Sequence, residues 1–507
     1  MSDNTSNNKR IVKNTFYLYI RMVVSLLISL YTSRVFLEAL GVEDYGIYNI
    51  VGGFVALFSI LTNTVRSAAQ RFITYALGKG DVAKLKKIFS TFVSLYVVLS
   101  IGIFIIGEIV GLLTLEKVLV IPDTRLDAAY FVYHCSLIVF AVNLVSIPYN
   151  ACVIAHERMN FFAIVSIAES IFRLLIAYLL FVCPFDTLKT YALLFCVLGL
   201  FVFFAYFFYC KFKFPETKGP LGIDGSILKE VFSYSVWVII GSSSAVVKEQ
   251  GVNIVINNFW GVTINAAKGV SMQVEGVVNM FAANIGTAIS PQITKSYASG
   301  DKDRSIRLTF LMAKVQGILL LYLCLPLISE ADYVLSIWLK DVPDHAALFT
   351  KWVLVLCIAR TMEASVVPLH LAIGKQKYIQ IVCGGVMLLN LPISYFLLKM
   401  GNDPVATVMI GIIIEFVVLF LITIFLKFYV NFPIWLFFMH SIFSVISVGV
   451  IVFTIIYIMT QGVHIGFIRF FVVCTVSTIL VSLISYIFAL DVREKKFVVE
   501  YVKKRIR

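Results

Sequence analysis

The chain has 507 residues, of which 60% are hydrophobic and 14% charged, with a formal net charge of +13; the mean hydropathy is +0.94. Soluble proteins carry roughly 25% charged residues, so this composition excludes a soluble globular chain and points to one immersed in lipid. The positive charge lies in alternate loops, which is a membrane-topology pattern and excludes a basic face built for nucleic acid.

The N-terminal MSDNTSNNKR is polar and lacks a short apolar stretch ending in small residues, so no cleaved signal peptide is expected and the first span directs insertion. A span needs about 20 apolar residues. Such runs place fourteen helices near 14–36, 46–65, 89–113, 128–152, 159–183, 188–210, 231–255, 264–288, 308–328, 349–372, 378–399, 405–427, 433–459 and 464–489. With the N-terminus inside, inner segments hold 28 Lys/Arg and outer loops hold 5. That asymmetry puts both termini in the cytoplasm and makes the span number even. The expected fold is an all-α polytopic membrane protein of two related six-helix lobes plus a C-terminal pair.

The lobes are read from a repeat. Gln70 to Asp81 (QRFITYALGKGD) recurs 222 residues later as QITKSYASGDKD, Gln292 to Asp303, with five identities in twelve. Each copy reads as a helix end running into a loop. A second match, Leu40 to Gly46 against Trp260 to Ala266, sits at offset 220. Repeats of this kind mark transporters with a site between their halves. The implied division is an N-terminal lobe over 1–210, a linker over 211–230, a C-terminal lobe over 231–430, the extra pair over 431–490, and a basic cytoplasmic tail over 491–507. The linker is assigned from Pro, Gly and charge between two spans.

Chemistry is sought among charges that spans should not contain, because an ionised group at mid-bilayer costs several kcal/mol. Nine Lys/Arg lie in or near spans: Arg21, Arg34, Arg173, Lys248, Lys268, Lys314, Lys351, Arg360 and Arg469. Arg173 follows Glu169 by one helical turn, a structural pairing. Arg360 and Glu363 stand three apart, with the same bland explanation; Lys351 and Arg469 sit near span ends and can snorkel. Arg34 is four residues before Glu38. Arg21 and Lys314 have no acid within a turn, and Lys268 has only Glu275, seven residues on. Lys248 is beside Glu249, but adjacent helical residues point to different sides. Converging, Arg21, Arg34, Lys248, Lys268, Lys314 and Arg360 make a cationic cavity suited to phosphate or diphosphate. Glu169 and Glu415 are candidates for a coupling cation.

No P-loop, HExxH or cofactor motif occurs, so a catalytic step and a bound cofactor are not expected. The nine Cys form no CxxC or Cys/His cluster in sequence. Those inside spans, such as Cys135 and Cys324, read as small buried hydrophobes and not as disulfides or metal ligands. His134 and His370 read as core residues.

The stretch SRVFLEALGVEDYGIYNIVGGF (Ser33 to Phe54), followed by RSAAQRFITYALGKGD, resembles the polysaccharide (O-antigen/lipopolysaccharide) flippases of the multidrug/oligosaccharidyl-lipid/polysaccharide exporter superfamily. The resemblance is strongest over 15–90. It implies a V-shaped cavity between two lobes, alternating access, and an undecaprenyl-diphosphate-linked oligosaccharide moved from the inner to the outer leaflet of the bacterial inner membrane. Basic residues of the first, seventh and eighth spans carry the family's substrate, and Arg21, Lys248 and Lys268 stand in comparable places. Implied partners are the lipid-linked oligosaccharide, membrane lipids, a polysaccharide polymerase and glycosyltransferases. Two alternatives stand beside it: a cation-coupled multidrug exporter of the same superfamily, and a flippase for another lipid-linked cell-wall precursor. Against the exporter, the first span holds Arg21 and no carboxylate before Glu38.

Overall fold

The computed structural model describes residues 13–29, 59–114, 123–339 and 342–491, together with Glu494, Lys495 and isolated residues between 31 and 47. Among the described residues there are helices and no strand. Lipid offers backbone groups no hydrogen-bond partner, so a spanning segment satisfies its own amides by coiling into a helix. The helices are α1 (13–29), α2 (Ser59–Lys79), α3 (Val82–Thr114), α4 (Leu126–Ala155), α5 (Met159–Leu179), α6 (Thr187–Lys213) and α7 (Gly225–Ala298). They continue with α8 (Lys302–Ser329), α9 (Ala331–Trp338), α10 (Ala346–Ala364), α11 (Val367–Ile373), α12 (Gln376–Leu388), α13 (Asn390–Lys399) and α14 (Ala406–Val430). The last are α15 (Ile434–Phe437), α16 (Ser444–Thr460) and α17 (Phe467–Ile484).

Eleven segments of the described chain are long and apolar enough to cross a membrane. They match the third to seventh and ninth to fourteenth expected spans. The eighth is present as helix but is too polar to count by composition, and much of the second lies outside the described residues. The seventh and eighth are limbs of α7, broken at Gly261, where φ is 77° and ψ is −173°.

The repeat is real, but its register differs from the one the letters suggest. Helix α2 ends in a turn at Gly80 (φ 71°), and α7 ends in a turn at Gly300 (φ 90°). Asp81 Oδ1 accepts from the Lys84 N–H at 2.9 Å, and Asp301 Oδ1 accepts from the Arg304 N–H at 2.9 Å. Both acids cap the helix that follows. Equivalent residues are therefore 220 apart, the offset of the second match, and Asp81 corresponds to Asp301 and not to Asp303. Burial follows the same register: Ala68/Ala288, Ile73/Ile293, Thr74/Thr294 and Ala76/Ser296 are all buried.

The chain divides into two compact units, Met1–Ile239 and Ile240–Arg507. In the first, α4 packs on α3 and α6 around buried Ala129, Val132, Tyr133 and Leu137. At one end of this unit Arg125 bonds Asp44 (Nε to Oδ1 2.8 Å) and Asp186 (Nη1 to Oδ2 2.7 Å), while Lys189 bonds Asp127. In the second, α10 packs against α8 and α14, with Phe349, Leu354, Cys357 and Leu320 in the core. That core supports the buried charges described next.

Candidate functional site

Within the second unit, three helices bring ionised side chains to one place. Lys248 and Glu249 come from the first limb of α7, and Lys268 and Glu275 from its second limb. Arg360 and Glu363 come from α10, and Glu415 from α14. Lys248, Lys268, Glu275 and Glu415 are all at most 8% exposed. Charges in so dry a place persist only when partnered. Lys248 Nζ lies 2.9 Å from Glu415 Oε1. Arg360 Nη1 bonds Glu275, and its Nε lies 3.6 Å from Glu415 Oε1. Glu363 lies close enough to interact electrostatically with Glu415, Arg360 and Lys248.

Lys268 differs from its neighbours. It is 8% exposed and feels Glu249, Glu275 and Lys248, but among the described residues it makes no ion pair. A cavity of about 50 Å³ opens beside it, lined by Lys248, Glu249, Lys268, Glu275, Arg360 and Asn390 among others. That volume admits a few waters or one small ion.

Among the described residues of this unit the cluster is charge-mixed and not simply cationic: three cations stand with Glu249, Glu275, Glu363 and Glu415. Arg360 pairs with Glu275 and Glu415, not with the Glu363 of its own helix. Lys248, Lys268, Arg360 and Glu415 are together. Lys314 is elsewhere: its Nζ lies 3.1 Å from Asp491 and 3.0 Å from Glu494, so it anchors the start of the C-terminal tail. Arg21 and Glu169 belong to the first unit. The Arg21 guanidinium stacks over the Phe162 ring at 4.8 Å, and Glu169 pairs with Arg173 at 2.5 Å, one helical turn apart as expected. Arg34 lies outside the described residues. The snorkelling expected of Lys351 and Arg469 is replaced by pairing: Lys351 bonds Asp332 and Arg469 bonds Glu330, each at 2.8 Å. Sequence reasoning missed Glu249 and Glu275 as members of the site; the available signal was a carboxylate within each expected span, beside Lys248 and seven residues after Lys268.

No known family's sequence profile matches the chain. One curated relative, an uncharacterized membrane protein, EpsK of Bacillus subtilis (strain 168), is 19% identical over 320 residues. That match covers 62% of this chain and 63% of EpsK, less than two thirds of the relative's length. Solved structures are more informative. A MATE transporter in its bent conformation superposes with a TM-score of 0.70 at 12% identity, covering 84% of this chain and 96% of that one. The fold is that of the MATE transporters. An outward-facing multidrug resistance MATE of the MOP superfamily gives a TM-score of 0.70 at 14% identity, with the same coverage. A MOP superfamily transporter from Pyrococcus furiosus, described as having a binding pocket of reversed polarity, gives 0.66 at 13%, again over 84% and 96% of the two chains.

Proposed function

We propose that this chain is a flippase. It carries an undecaprenyl-diphosphate-linked oligosaccharide from the inner to the outer leaflet of a bacterial inner membrane by alternating access, with no catalytic step. The observation that carries the reading is Lys268, a buried ammonium that makes no ion pair among the described residues, at a cavity where Lys248 and Arg360 are already neutralised. Such a charge is costly to hold, and an anionic ligand completes it. A diphosphate supplies acceptor oxygens for it. The cavity of about 50 Å³ is too small for the head group, so loading requires the opening that alternating access provides. The MATE-like fold supports that motion. Without a nucleotide motif, energy comes from an ion gradient, the membrane potential or consumption of the product.

A cation-coupled multidrug exporter is the second reading, favoured by the carboxylates Glu249, Glu275, Glu363 and Glu415 around the same cavity. Deleting the gene and complementing it with variants separates the two. For the flippase, deletion removes surface polysaccharide and lipid-linked repeat units accumulate. Lys268→Ala then restores roughly a tenth or less of wild-type export, the loss of one charged hydrogen bond of about 1.5–3 kcal/mol, while Lys268→Arg restores most of it. Intact surface glycan with new sensitivity to cationic drugs transfers the assignment to the exporter. Normal export by Lys268→Ala removes Lys268 from the site and leaves the fold untouched.

A further inference from the structure

In the first unit three metal-ligating side chains meet. Cys152 Sγ, a His156 ring nitrogen and a Glu216 carboxylate oxygen all lie within 4.8 Å of one another. We infer that Cys152, His156 and Glu216 form a zinc site, with Cys210 as the natural fourth donor, that pins the start of the inter-lobe linker to the ends of α4 and α6. This inference is independent of the transport reading.

The donor set is that of zinc. Thiolate, imidazole and carboxylate are its three usual protein ligands, with bonds of about 2.0–2.3 Å. At tetrahedral angles those lengths put ligand atoms roughly 3.2–3.8 Å apart, so the observed cluster needs shifts of about an ångström. His156 Nε2 lies 2.5 Å from Glu216 Oε1, and the Cys152 thiol donates to that same oxygen at 3.5 Å. Metal entry separates the first pair and replaces the second bond. Cys152 releases its thiol proton to solvent as the S–Zn bond forms, and His156 binds through neutral Nε2.

Local structure holds the donors ready. Cys152 and His156 are four residues apart at the end of α4, one turn and one face. The His156 ring is stacked on Phe214 at 4.0 Å and 10°, which fixes its orientation. Glu216 enters from the 3-10 turn Pro215–Lys218. Thr217 Oγ1 anchors that turn by donating to the Cys210 carbonyl at 2.9 Å and the Phe214 carbonyl at 2.8 Å. Cys210 lies close enough to Cys152 to interact electrostatically, and its thiol donates to the Tyr149 carbonyl at 3.4 Å. Cys152 is fully buried and Glu216 nearly so, while the His156 side chain is 24% exposed, so metal enters past the imidazole. The linker is expected in the cytoplasm, where thiols stay reduced and available.

The test uses the purified full-length protein in detergent. Elemental analysis should find about one zinc per chain. Exchange for Co2+ should give a thiolate-to-cobalt charge-transfer band and the visible bands of a tetrahedral centre. Cys152→Ser should cut the charge-transfer intensity by about half or more, and Cys152→Ser with Cys210→Ala should abolish it. Glu216→Gln should keep a thiolate band but weaken binding about tenfold or more. A wild-type protein with no such band overturns the proposal whatever the variants do. So does a band undiminished in Cys152→Ser, which would arise from another of the nine cysteines.

Discussion

The two units use the same turn and fill their interiors differently. Gly80 with Asp81 and Gly300 with Asp301 build one capped corner twice, 220 residues apart. Among the described residues the ion pairs share no such register. In the first unit, Glu169 and Arg173 pair along one helix with 31% and 48% of their side chains exposed, and Arg21 lies half-buried against Phe162. In the second, Lys248, Arg360, Glu275 and Glu415 pair across helices, and Glu415 is 2% exposed. The two units thus share the corner, which backbone geometry demands, while each interior has its own chemistry.

The sharpest way to break this comparison is to remove one acid from each unit. Glu415→Ala leaves Lys248 buried without its 2.9 Å partner and takes one carboxylate from Arg360. Breaking a buried pair from one side costs about 3–5 kcal/mol. Glu169→Ala frees an Arg173 that is half exposed and should cost under about 1 kcal/mol. Thermal unfolding of the two detergent-solubilised variants measures both. Equal melting points would mean that the second unit's network is hydrated and that its burial carries no energy.

How much of this was legible in the sequence follows from where partners sit in the chain. Apolar runs are local, so eleven spans could be read directly, and so could the Glu169–Arg173 pair at four residues. Arg360 and Glu275 are 85 residues apart, and Lys248 and Glu415 are 167 apart. A search for acids within one turn leaves Lys248 unneutralised, assigns Arg360 the wrong partner and declares Lys314 alone, although Asp491 and Glu494 hold it from 177 and 180 residues away. Cys152 and His156 stand four residues apart but make no cluster in sequence, because the third donor, Glu216, is 60 residues beyond His156. The repeat slipped by two residues for another reason. Letters matched at offset 222 include Ala76 with Ala298, of which only Ala76 is buried. The turn itself is fixed by a positive φ and a cap that only the structure locates.

The 220 register makes its own prediction. At Gly80 and Gly300 an added Cβ meets nothing within 4 Å, so Gly80→Ala and Gly300→Ala test backbone conformation alone. Each should destabilise by about 1–2 kcal/mol, the cost of a left-handed residue bearing a Cβ. Asp81→Ala and Asp301→Ala should each cost about 1 kcal/mol through loss of the cap. Matched losses in the two units, read as melting temperatures, support equivalence at 220. A loss at Asp303→Ala as large as at Asp301→Ala would restore the offset of 222.

The smallest effect lies at the exposed network of the first unit and separates screened charges from the buried ones of the second. Asp186 caps α6 by accepting from the Lys189 N–H at 2.9 Å and pairs with Arg125 at 2.7 Å. Burial works to raise its carboxyl, but the Lys189 N–H and the Arg125 guanidinium outweigh it and hold the group below the usual carboxylate range. A folded-state value below the unfolded one means that the contribution is present above the unfolded value, about 3.9, and is lost as pH falls through the folded value. Stability should therefore decline below about pH 4, and Asp186→Asn should flatten that part of the profile. Because the Asp186 and Arg125 side chains are 31% and 28% exposed, the ion-pair share should be under about 1 kcal/mol and shrink in about 1 M salt. The cap persists at high salt, since a hydrogen bond to a fixed N–H needs no long-range field. The penalty of Glu415→Ala, buried away from mobile ions, should not respond to salt. Equal salt dependence at Asp186 and Glu415 would show that water reaches both.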